Sequence, residues 1–78
     1  MYIYTKTHCG REIIDIEHGV HIAITKRDTD YAITTHFRTG EPLILAERID
    51  LVQAQHTLDT LAIKLNAYRL PDVDKPTG

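Results

Sequence analysis

Residues 43–58 read Leu43-Ile44-Leu45-Ala46-Glu47-Arg48-Ile49-Asp50-Leu51-Val52-Gln53-Ala54-Gln55-His56-Thr57-Leu58. Two periods meet at Asp50. Up to Ile49 the apolar pattern has the period-two spacing of strands that pack one face. Beyond it Leu51, Leu58 and Leu65 recur every seven residues, as do Ala54, Leu61 and Tyr68, which is the spacing of a helix with one apolar stripe. Asp50 suits an N-cap, because its carboxylate can accept from an unpaired N–H of the first turn. Gln53, three residues on, can return the bond and complete a capping box. The helix is predicted to run to Tyr68 or Arg69, before Pro71 stops it. Its stripe reads as a packing face, since coiled-coil pairing needs a longer run of heptads.

Upstream of residue 50 the β-branched residues are dense, as half-buried pleated surfaces prefer. Five strands are predicted: Tyr2 to Thr7, Arg11 to Ile16, Val20 to Thr25, Asp30 to Arg38 and Leu43 to Arg48. Cys9-Gly10 suits a two-residue turn. For the next hairpin a three-residue loop, Glu17-His18-Gly19 with Gly19 left-handed, pairs Ile16 with Val20 and Ile14 with Ile22. That register gathers the isoleucines on one side. Lys26 to Thr29 and Thr39 to Pro42 are polar turns. The predicted class is therefore α+β: a single antiparallel β-sheet, an approximately five-strand meander, with one C-terminal α-helix on one face. Residues 1–70 form the one domain, and 71–78 a polar tail.

One helix covers one face. These registers place Ile3, Ile14, Ile16, Val20, Ile22, Ile24, Tyr31, Ile33, Phe37, Leu43 and Leu45 beneath it. The other face is predicted to carry Tyr2, Tyr4, Ile13, Asp15, His21, Ala23, Ala32, Thr34, His36, Ile44 and Ala46. A solvated sheet face is usually rich in Lys, Glu, Arg and Thr. This one is aromatic and apolar at its centre, and such patches on small proteins mark interaction sites. Burying about 400 Å² there contributes on the order of 10 kcal/mol before the costs of association. These residues are the expected partner-binding surface. Within it, Tyr4, Asp15, His21 and Thr34 are expected to lie side by side, so that Asp15 orients the His21 ring.

Composition narrows the function classes. The single cysteine, Cys9, excludes an intramolecular disulfide and fits a reducing, cytoplasmic setting. No stretch reaches the length of a membrane span, and Met1 to Lys6 does not resemble a signal peptide. A net charge of −2 disfavours a nucleic-acid binder, whose affinity rests on phosphate neutralisation. Such a reading would have Tyr2 and Tyr4 stack bases, flanked by Lys6, Arg11, Arg38 and Arg48. His8, Cys9, His18 and His21 are separated by a whole strand, so they converge poorly on a metal. The chain has no serine, and His8 and Cys9 as sequence neighbours point to opposite faces. No cofactor and no catalytic residue are expected.

The sequence therefore points to a small non-enzymatic protein-interaction module. Its partner would be another protein or a second copy of itself, in a homodimer. By size alone, inhibitors, adaptors and regulators encoded by phage and mobile elements share this profile. The alternative is a nucleic-acid-binding protein using sheet aromatics.

Overall fold

The computed structural model describes residues 1–7 and 10–70. The Cys9 half of the first turn, the His8 and Cys9 metal reading, Pro71 and the polar tail lie outside them. The described chain forms β1 (Ile3–Thr7), β2 (Gly10–Asp15), β3 (Val20–Lys26), β4 (Tyr31–His36), β5 (Leu43–Ile49), α1 (Leu51–Lys64) and β6 (Tyr68–Arg69). The sheet order is β5-β4-β3-β2-β1-β6. Five strands form an antiparallel meander, and β6 adds in parallel to β1. The fold is α+β with one helix packed on the sheet, as predicted, with a sixth strand in addition.

Asp50 caps α1 as expected. Its Oδ1 accepts from the Gln53 N–H at 2.7 Å, and Gln53 Oε1 accepts from the Asp50 N–H at 3.3 Å. The other end differs. Asn66 takes a left-handed φ of 55° and the helix stops at Lys64. The Asn66 N–H then bonds the Ile63 carbonyl at 3.0 Å, and the Ala67 N–H bonds the Ala62 carbonyl at 2.9 Å. This pair of bonds is a Schellman closure, with Asn in the position usually held by Gly. It turns the chain at Asn66, three residues before Arg69. Tyr68 and Leu70 then donate to the carbonyls of Tyr2 and Tyr4 at 2.9 and 3.0 Å. Tyr68 is thus a strand residue, not part of the helical stripe.

The helix side of the sheet holds the core: Tyr4, Ile13, Ile22 and Ile33 pack with Leu58 and Ala62 of α1. This exchanges the predicted faces of β1 and β2. Asp15, not Ile16, pairs with Val20, and Ile13, not Ile14, lies opposite Ile22. The loop is one residue longer than expected, and a one-residue slip turns every side chain of a strand over. Adjacent Ile13 and Ile14 let the pattern fit either register. The bulk of Tyr2 and Tyr4 decides it, because that parity brings two aromatic rings to the helix where Ile3 and Thr5 would fill less space. The cost is an Ile16 left 71% exposed in the loop.

Asp15 anchors the longer loop by accepting from the His18 N–H at 3.3 Å and meeting His18 Nδ1 at 2.7 Å. Gly19 is left-handed, as predicted, with φ 66°. A Cβ there would stand 2.8 Å from Nε of Arg38, whose guanidinium reaches the Ile16 and Glu17 carbonyls.

In β5, Thr34 pairs with Ile44 and Ile33 with Ala46, so Leu45 is an extra residue; a second irregularity precedes the pairing of Tyr31 with Ile49. The first bulge carries Ala46 to the helix side, where it packs against the core. Phe37 and Leu45, expected inside, are respectively 45% and 48% exposed. Phe37 lies beyond the end of β4, and Leu45 is displaced by the bulge.

Candidate functional sites

Two surfaces are built from this frame. The first is the helix-free face. Of the residues predicted there, His21, Ala23, Ala32, Thr34, His36 and Ile44 keep that parity. Tyr2, Tyr4, Ile13, Asp15 and Ala46 do not; they sit on the helix side, and Tyr4, Ile13 and Asp15 are buried there. In their place β1 and β2 present Ile3, Thr5, Glu12 and Ile14. Ala32 and Thr34 are buried within the face itself, where the Arg27–Glu47 ion pair (3.5 Å) links β3's end to β5 at the level of Ala32. The accessible surface is therefore Ile3, Ile14, His21, Ala23, His36 and Ile44.

His21 and His36 are cross-strand partners with ring centroids 5.9 Å apart. The carboxylate beside His21 is Glu12, at 3.0 Å from Nε2, and not the predicted Asp15. Asp15 serves His18 instead, and that hydrogen bond holds its carboxyl below the usual value. Among the described residues no three His, Cys, Asp or Glu side chains are placed to hold a metal ion.

The second surface is a cavity of about 250 Å³ at the opposite corner, lined by Tyr4, Thr5, Lys6, Arg11, Asp59, Arg69 and Leu70. Tyr4 and Lys6 point to the helix side because of the β1 register, and Lys6 is paired with Arg11 across the hairpin. Asp59 enters from α1, and Arg69 arrives on β6. The Tyr4 hydroxyl donates to Asp59 Oδ1 at 2.5 Å, Arg11 Nη1 donates to Oδ2 at 3.3 Å, and Arg69 Nη1 lies 3.9 Å from Oδ1. The Arg69 guanidinium also covers the Tyr4 ring at 4.9 Å. Burial, together with the Asp59 carboxylate, pushes the Tyr4 phenol up to about 12, so it stays a protonated donor.

Sequence reasoning missed this corner. Arg69 was placed at the end of the helix and Tyr4 on the wrong face, so nothing brought them together. The one available signal was Asp59, an acid one residue from the buried Leu58 on an otherwise apolar stripe.

No helix among the described residues is long and apolar enough to cross a membrane. Comparisons with family models, with curated proteins and with solved structures find no match for this chain.

Proposed function

We propose that this protein is a non-enzymatic protein-interaction module that works through the helix-free sheet face, and that its partner is a second copy of itself. The observation that carries the reading is the run of accessible apolar side chains from Ile3 and Ile14 across Ala23 to Ile44, the last 47% exposed. The polar groups of this face have partners within it: Glu12 contacts the His21 ring and Arg27 pairs with Glu47. A face with few charges, each with a neighbour to partner it, can meet its own copy across a two-fold axis with little like-charge repulsion. Face packing is favoured over strand addition along β5. That edge has two irregularities and carries Glu47 and Arg48 in its second half, devices that discourage edge pairing. The nucleic-acid reading needs Tyr2 and Tyr4 on the open face, and no observation favours it.

Light scattering after gel filtration should give twice the chain mass. Ile44→Lys should restore the monomer with an unchanged far-ultraviolet circular dichroism spectrum, because Ile44 is 47% exposed and outside the core. A wild-type monomer at high concentration would refute self-association. A dimer indifferent to Ile44→Lys would refute this face.

A further inference from the structure

Two imidazoles stand among the apolar side chains of the helix-free face. Strand pairing sets Ile3, Ile14, His21 and His36 in one row across β1, β2, β3 and β4. The two rings lie 5.9 Å apart between centroids, with His21 half-buried and His36 exposed. Their charge settings differ. Glu12 Oε1 is 3.0 Å from His21 Nε2, so a proton on His21 meets a carboxylate. Among the described residues none sets a carboxylate against His36, whose contact is the His21 ring. We propose that His36 is a proton switch on the two-copy assembly: neutral, it is covered with the face, and protonated, it drives the copies apart. This rests on the dimer reading above and adds its regulation.

The physical cause is desolvation without a counter-charge. A second copy can cover a neutral imidazole at small cost, but a cation taken out of water needs an anion beside it. A proton on His21 balances Glu12. A further proton on His36 puts a second positive ring 5.9 Å from the first, and a two-fold axis repeats that surplus in the other copy. The remaining charged groups around the row do not offset it. At the loop end Arg38, itself a cation, bonds the Ile16 and Glu17 carbonyls. Glu17 meets the Met1 ammonium at 3.3 Å, and His18 is turned to Asp15. At the other end of the strands Glu47 pairs with Arg27. β5 brings Ile44 beside Thr34, and α1 packs on the opposite side of the sheet. Imidazoles ordinarily change charge near pH ~6.5. The separated copies bind more protons than the assembly, so association weakens as pH falls through that range.

The test is a dilution series by sedimentation velocity at about pH 7.5 and about pH 5.5, one unit on either side of the ordinary imidazole value, at constant ionic strength. Far-ultraviolet circular dichroism at both values checks that the fold persists. Excluding one proton from each copy predicts a dissociation constant roughly 100-fold higher at the lower pH, about tenfold for each proton. His36→Gln, a neutral replacement at an exposed position, should associate like wild type at the higher pH and lose most of that change. If this variant does not fold, the wild-type His36 ring resonance gives the same answer: it should titrate at lower pH in concentrated than in dilute solution. Equal midpoints overturn the proposal. So does a wild-type constant that moves less than about threefold, or a His36→Gln variant that keeps the full change, and in both cases the dimer reading stands. A chain that is monomeric at the higher pH refutes the dimer reading and this proposal with it.

Discussion

Asp15 is a buried carboxylate whose hydrogen bonds come from its own hairpin loop, the His18 ring at 2.7 Å and the His18 N–H at 3.3 Å. A carboxylate that accepts such bonds keeps its charge to lower pH. Its pKa is lowered in the folded chain, so its share of stability is present above the ordinary aspartate value near 3.8 and disappears as pH falls through the folded value. A carbon-13 titration of the side-chain carboxyl should place Asp15 below 3.8 in wild type and return it upward in His18→Ala. An unmoved value in that variant would mean that something other than His18 holds the charge. The same residue explains a failure of sequence reasoning. Asp15 was legible as a polar residue in an apolar strand, which suggested the solvent side. Its actual place is inward, at the strand end, because its polarity is satisfied by a loop only three residues away.

At the scale of elements, the start of α1 was legible and its end was not. Asp50 and Gln53 announce a capping box in residue types alone. Asn66 does not announce a stop, because Asn is tolerated inside helices and the apolar spacing continues to Tyr68. The left-handed φ of 55° is the physical cause of the ending. Asn66→Val, which puts a β-branched side chain in that conformation, should cost about 1–2 kcal/mol in urea denaturation. Asn66→Gly should cost nothing or stabilise slightly. Equal stability of the valine variant would show that the Schellman closure is not what turns the chain. The β2–β3 hairpin carries the other lesson. Gly19's conformation was readable, but loop length was not, since Ile13-Ile14 satisfies both registers. The decision came from aromatic volume on β1, one strand away, which no local pattern contains.

For the whole molecule, one helix of 14 residues serves a six-stranded sheet. The helix packs chiefly on the three central strands β2, β3 and β4, and the core beneath it is small. Ile13, Ile33 and Leu58 are its largest fully buried side chains. Leu58→Ala should therefore cost about 2–5 kcal/mol, a large part of the roughly 5–15 kcal/mol that holds a domain together. Chemical denaturation measures it, and a loss under about 1 kcal/mol would show that the site collapses around the gap. The α+β class, the helix stripe and the faces of β3 and β4 were all visible in the sequence, because period and parity fix them. The corner cavity was not, since it gathers residues from four elements.

β6 joins residues 68 and 69 to residues 3 and 4, whereas every other strand pairs with its immediate neighbour in the chain. The hairpins close short loops, whereas this pairing joins the two ends of the described chain and carries the larger loop-closure cost. That pairing also seals the free edge of β1. Arg69 reaches Tyr4 and Asp59 only through it, so the corner exists only in a chain whose two ends have met.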